Sequence, residues 1–193
     1  MEEIERRGED VIDYKSAISF EDIKKLMCGA LDAFYRKDRN LFADKQGNKE
    51  VCERCMVHRI AHYMINEMDA NDKYSWTDLD CEYNRNKHAD KIIKAPKPGE
   101  EEPNDHKSYP DLIIHRRLQN ENNLLVAEFK RGDPKPEDYD YDGRKLEYFT
   151  SPGSRYRFNF GFYIELRQDK ASVEVYKDGE RAPELNFVYP NNV

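Results

Sequence analysis

The chain has 193 residues, enough for one domain with a buried core, and its composition is strongly charged and acidic. The formal net charge of −7 argues against the broad basic surface of a tight, nonspecific nucleic-acid binder. Charged residues make up 37% of the chain and aromatic residues 12%, and this aromatic share excludes wholesale disorder.

The location of the protein is predicted from three sequence features. No apolar run approaches the roughly 20 residues needed to span a bilayer, and the first seven residues lack the apolar stretch of a secretory signal. Four cysteines do not make a disulfide framework. We therefore expect a cytoplasmic protein without a membrane partner.

Two amphipathic helices are predicted in the first part of the chain. Ser19 is placed as the N-cap of the first helix, and Asp22 is placed to reciprocate. Its apolar positions recur at helical spacing and are Ile23, Leu26, Met27, Ala30, Leu31 and Phe34. The second helix, about 49–68, should bury Val57, Ile60, Ala61, Met64 and Met68.

The remaining predicted elements are mostly strands. In chain order we predict a strand at 76–83 with an acidic face, a polar loop or flap at 85–108, two apolar strands at 109–115 and 123–130, a helix at 139–149, and strands at 158–166, 171–176 and 185–188. This order is typical of an α/β fold with a mixed sheet flanked by helices. We divide the chain into a helical N-terminal extension, 1–47, and a core domain, 48–193.

Three polar residues on the two apolar strands are predicted to meet. If these strands pair antiparallel in a register centred between residues 119 and 120, Asp111 lies opposite Glu128, and Lys130 points to the same face as Glu128. Two carboxylates so close on apolar strands repel, so that one takes a proton or a cation lies between them. A hard divalent ion is the expected occupant. Lys130 would orient water or support negative charge on a phosphate.

Glu53 lies on the apolar stripe of the second helix, where a carboxylate is costly without a partner. It could complete the metal site or hold a metal-bound water. Two acids of the first strand, Asp80 and Glu82, share one face and could approach the same site or form a solvated edge. Asp142 and Lys145 on the third helix are expected to form an i, i+3 ion pair, although the basic residue could instead face a substrate.

The spacing Pro110-Asp111, sixteen residues, then Glu128-Phe129-Lys130 resembles the signature of the PD-(D/E)xK nuclease superfamily in its glutamate variant. The segments 80–85, 109–111 and 123–130 are also similar to prokaryotic members of that superfamily. Over roughly 50–166, the resemblance implies a restriction-endonuclease-like fold: a helix, three antiparallel strands, a helix and a strand. It also implies phosphodiester hydrolysis with Mg²⁺ or Mn²⁺. By similarity, Asp111 and Glu128 are metal ligands, Lys130 is the catalytic lysine and Glu53 is the acid of the first core helix.

The resemblance leads us to expect a nucleic-acid partner, in the first place DNA, and leaves a homodimer open. The candidate phosphate contacts are the basic residues of one segment, namely Arg85, Lys87, Lys91, Lys94 and Lys97.

Two other classes of protein stay open. Members of the superfamily that have lost catalysis serve as modules that bind nucleic acid or protein. A zinc protein is the other alternative, with Cys52, Cys55, His58 and His62 on the helix arc opposite the apolar stripe. His115 ends an apolar strand and either points to the acidic site or is a structural histidine.

Overall fold

The computed structural model describes residues 13–42, 51–83, 85–86, 89–90, 92–94 and 105–190. Within these ranges the α-helices are α1 (Phe20–Lys37), α2 (Glu53–Asp69) and α3 (Pro136–Thr150). The strands are β1 (Asp78–Cys81), β2 (Arg85–Asn86), β3 (Ala89–Asp90), β4 (Ile92–Lys94), β5 (Asp105–Lys107), β6 (Leu112–His115), β7 (Leu125–Arg131), β8 (Phe160–Leu166), β9 (Ala171–Lys177), β10 (Glu180–Arg181) and β11 (Phe187–Tyr189). None of the helices described is long and apolar enough to cross a membrane.

Helix α1 begins at the predicted capping box. Asp22 N donates to Ser19 Oγ over 3.2 Å, and Ser19 N donates to Asp22 Oδ2 over 2.8 Å, so the first turn satisfies two backbone donors. The six apolar positions predicted for this helix are all buried. Although the sequence places α1 in an extension, its apolar face packs in the same core as α2 and the sheet.

Helix α2 also buries the predicted stripe, which the fold extends by Met56 and Tyr63. Cys52, Cys55, His58 and His62 are exposed on the opposite arc, as their spacing predicts. The helix begins at Glu53, with Cys52 as its N-cap, and residues 49 and 50 of the predicted helix lie outside the described residues.

The central sheet is mixed. Among the described strands its order is β1-β6-β7-β8-β9-β10, and β11 pairs with β9 on a branch from this path. Strands β7 and β8 are parallel and are connected through α3, whereas the other neighbours are antiparallel. The pairs Leu112↔Ala127 and Ile114↔Leu125 have the register centred between residues 119 and 120, so that prediction is confirmed.

The two faces of the sheet pack against different helices. Leu125, Ala127 and Phe129 of β7 lie in a core shared with α1 and α2, while Val126 lies in a core shared with Leu146 of α3. Because side chains alternate along a strand, the polar residues of β7 that share the face of Val126 point towards α3.

Helix α3 packs closely on β8 at Gly161. A Cβ atom there would lie 3.1 Å from Thr150 Cγ2 and 3.2 Å from Tyr176 Cβ. The packing therefore selects a residue without a side chain, although the backbone of Gly161 is that of an ordinary strand.

Of the loop or flap predicted at 85–108, the loop is wrong for the described part, which forms short paired strands. Strand β2 pairs with β3, and β4 pairs with β5. Ile93 is fully buried in the core under α3, and Tyr156 Oη donates to Ile92 O and accepts from Ile92 N, at 2.7 and 2.8 Å. Two consecutive isoleucines thus hold a polar segment against the domain.

The strand predicted at 76–83 is shorter in the structure, where it is β1. It ends at Cys81, because the chain turns at Glu82, which has a φ of 50°.

Candidate functional site

The candidate site lies where β7 faces α3. Asp111 directly precedes β6, and the β6–β7 register continued by one residue sets it opposite Glu128. Asp111 Oδ2 accepts a hydrogen bond of 2.7 Å from Phe129 N. Glu128 is only 2% exposed, so its carboxyl group is removed from water. The two acids thus meet as the sequence predicts.

Two lysines and a further acid complete the cluster. Lys130, on the same face of β7 as Glu128, has its Nζ 2.8 Å from Asp142 Oδ2 of α3. Lys145, one helical turn after Asp142, lies with its Nζ 2.6 Å from Asp142 Oδ1 and 2.9 Å from Glu128 Oε1. The predicted i, i+3 pair is therefore present. What the sequence does not show is that Lys145 also reaches across to the strand.

Glu53 comes to the same end of β7 from the opposite layer. Its Oε2 accepts a hydrogen bond of 2.8 Å from Arg131 N, which directly follows Lys130. The guanidinium of Arg131 donates to Val51 O over 3.1 Å and to Phe42 O over 3.0 Å. The first turn of α2 is thus attached to the strand that carries Glu128 and Lys130.

Burial dominates the electrostatics of the three predicted acids. It raises the pKa of Glu128 well above its usual range although Lys145 opposes the shift, and the neighbouring charge of Asp111 raises it further. Burial likewise raises the pKa of Asp111, against the hydrogen bond from Phe129 N, and the pKa of Glu53.

The cluster carries more acid than base. Glu53, Asp111, Glu128 and Asp142 face two ammonium groups, those of Lys130 and Lys145. Burial alone would lower the pKa of Lys145, but the adjacent Glu128 and Asp142 raise it above its usual range. With every group ionised the surplus is two negative charges, which a divalent cation would balance.

The carboxyl oxygens of this cluster are donors of the kind that Mg²⁺ and Mn²⁺ prefer. Within the part of the chain described here, no three His, Cys, Asp or Glu side chains are already grouped around a point that could hold a metal ion. Lys145 lies between Glu128 and Asp142, and Lys130 pairs with Asp142. A cation bound by Glu128 would therefore take the place of an ammonium group.

The remaining polar residues of the predicted strand at 76–83 belong to separate networks. Asp80 accepts hydrogen bonds from Arg117 and pairs with His115 Nε2 at 2.9 Å. Burial would raise the pKa of Asp80, but these two partners outweigh it and hold the pKa well below its usual range. Glu82 pairs with Arg54. His115 is thus buried and pairs with Asp80, an acid outside the candidate site.

Tyr163 is a site neighbour that the sequence does not single out. Strand pairing sets it beside Glu128 on β8, it is 2% exposed, and its hydroxyl has no hydrogen-bond partner among the described residues. The parallel pairing of β7 with β8 depends on the crossover through α3, so no local sequence signal indicates this neighbour.

The predicted phosphate contacts are described only in part. Arg85 is exposed and begins β2, and the backbone of Lys94 ends β4. Lys87, Lys91 and Lys97 lie outside the described residues.

Comparisons of the chain with protein-family models, with curated proteins and with solved structures found no match.

Proposed function

We propose that this protein is a metal-dependent phosphodiester hydrolase, a nuclease acting on DNA, built on a restriction-endonuclease-like core. The observation that carries the proposal is the opposition of Asp111 and Glu128, two acids that burial has made unfavourable to ionise, with Lys130 one strand step away. The order of α2, antiparallel β1, β6 and β7, then α3 and parallel β8, supports the fold that the resemblance implies.

Asp111 and Glu128 would hold a Mg²⁺ or Mn²⁺ ion, and Glu53, the first residue of α2, would contribute a further carboxyl group. When bound, such an ion lowers the pKa of a water molecule and neutralises charge on the phosphoryl group. Lys130 and Lys145 have their ammonium groups at the same place and would bind phosphate oxygens. When the cation binds the carboxylates of the site, a phosphate group would replace them as the anionic partner of the two lysines.

A second candidate is a protein of the same fold that binds nucleic acid or a protein partner without catalysis. It is favoured by one observation: the ammonium groups of Lys130 and Lys145 already lie within 2.9 Å of carboxyl oxygens of Glu128 and Asp142. A closed network of this kind can be a purely structural element, because buried charges require partners.

Cleavage assays with matched variants distinguish the two candidates. Linear, supercoiled and single-stranded DNA and RNA are incubated with the protein in Mg²⁺, in Mn²⁺ and in EDTA. We expect metal-dependent cleavage of DNA by the wild type and none by Asp111→Asn. The matched control is Asp140→Asn, which removes an exposed acid of α3 and should cleave normally.

Thermal melts provide a readout that is independent of the substrate chosen. A ligand that binds the folded state alone raises Tm, so Mg²⁺ should raise Tm for the wild type and Asp140→Asn much more than for Asp111→Asn. Equal shifts in all three proteins would show that Asp111 is no ligand, and the non-catalytic candidate would then be preferred.

The DNA contact is proposed from the charge of the basic segment alone. Neutralising Lys91, Lys94 and Lys97 together should weaken DNA binding and reduce the slope of log affinity against log salt by roughly 1 per lysine. An unchanged slope would leave this segment as a solvated surface.

A further inference from the structure

The first turn of α2 carries a pair of thiols on its exposed side. Cys52 is the N-cap of the helix and Cys55 is the third residue after it. Side chains at these two positions lie next to each other, as those of a capping box do. Here the Cys52 Sγ and Cys55 Sγ atoms are 3.2 Å apart, and both residues are exposed.

This geometry is close to that of a disulfide. An S–S bond is about 2.05 Å long, so the two sulfur atoms need to approach by roughly 1 Å, within the range of small rotations about χ1. The other cysteines, Cys28 in α1 and Cys81 in β1, are only partly exposed. Among the residues described, no third His, Cys, Asp or Glu side chain joins the pair to hold a metal ion.

We propose that Cys52 and Cys55 form a redox-active dithiol that exchanges with low-molecular-weight disulfides. One cysteine, as thiolate, attacks a sulfur atom of R–S–S–R; the S–S bond breaks, and R–S⁻ leaves and takes up the proton that the cysteine released. The second cysteine, as thiolate, then attacks the mixed disulfide, and a second R–SH leaves in the same way. The protein loses two hydrogens in forming one S–S bond, and one R–S–S–R becomes two R–SH.

The disulfide would restrain a turn that the candidate site uses. Cys52 lies between Val51 and Glu53, and both neighbours accept hydrogen bonds from Arg131 at the end of β7. Since the N-cap and third positions already face each other, closing the ring preserves the helical turn and fixes it. Oxidation should therefore stabilise the fold, whether or not the protein is a nuclease.

The test is oxidation of the full-length folded protein with oxidised glutathione, followed by thiol counting and peptide mass mapping. We expect the number of free thiols to fall from the four of the sequence to two, with the new bond joining Cys52 to Cys55. Cys52→Ser and Cys55→Ser should each stop at a mixed disulfide with glutathione. A wild type that keeps its thiols, that stops at the mixed disulfide, or that links other cysteines overturns the proposal.

A second measurement tests the contribution of the fold. For a ring this small, loop entropy predicts a rise in Tm of roughly 4–7 °C on oxidation, and the oxidation equilibrium should be roughly twentyfold more favourable in the folded protein than in urea. The double variant Cys52→Ser/Cys55→Ser, treated identically, should show no rise. An equal equilibrium in folded and unfolded protein would mean that the thiols merely happen to be close in sequence, and would overturn the proposal.

Discussion

Replacing Asp142 with asparagine should lower the stability of the fold far more than replacing Asp111 with asparagine, although both acids lie in one cluster. Asp142 is 3% exposed and contacts the ammonium groups of Lys130 and Lys145 at 2.8 and 2.6 Å. Removing one partner from a buried ion pair typically costs about 3–5 kcal/mol, because the remaining charge is left in a site of low polarity.

The structure places the cost at the lower end of that range. Lys145 keeps Glu128 as a partner, and the side chain of Lys130 is 24% exposed, so it can regain some water. We therefore expect Asp142→Asn to lower the free energy of unfolding by about 3 kcal/mol and, for a chain of this size, to lower Tm by roughly 6–12 °C. Asp111→Asn should change the free energy of unfolding by no more than about 1 kcal/mol, because an amide oxygen can still accept from the backbone.

Urea unfolding of both variants in EDTA, with the slope m compared, measures this difference directly. Working without metal removes any contribution from ligand binding. If the two variants lose equal stability, the ion pairs to Asp142 stabilise the fold no more than the contacts of Asp111 do. A loss below about 1 kcal/mol for Asp142→Asn would have the same meaning.

Three further predictions follow from individual contacts. The pKa of Glu128 is raised above its ordinary 4.5, so the folded state keeps a proton that the unfolded chain has released, and stability must fall as pH rises above that value. Glu128→Gln lacks this group, so its stability relative to the wild type should rise with pH by up to about 1.4 kcal/mol per pH unit. Urea titrations from pH 4.5 upward measure this difference. If the free energies of unfolding of the two proteins change with pH in parallel, burial does not raise the pKa of Glu128. Ser19→Ala should cost about 1 kcal/mol through loss of the capping box with Asp22, measured by the same titrations, and no change would mean that the cap is frayed in solution. Gly161→Ala should lower Tm because its methyl group would crowd Thr150, whereas an unchanged Tm would show that α3 can move away at little cost.

The sequence by itself was sufficient for the elements with strong local signals. The N-cap of α1, the apolar stripes of α1 and α2 and the register of β6 with β7 all depend on residues close together in the chain, and period and spacing indicate them directly. This is why the opposition of Asp111 and Glu128 could be predicted from two short apolar runs. It is also why Ser19 could be placed at the start of α1.

Only the tertiary structure decided what surrounds those acids. Asp142 and Lys145 form an ordinary helical ion pair by sequence, and their contacts with β7 appear once the crossover through α3 sets that helix on one face of the sheet. The burial of Ile93 in a polar segment, and the place of Tyr163 beside Glu128, arise in the same way. Packing between layers joins residues that are distant in the chain, and burial then determines which charges need a partner, so neither can be read from local periodicity.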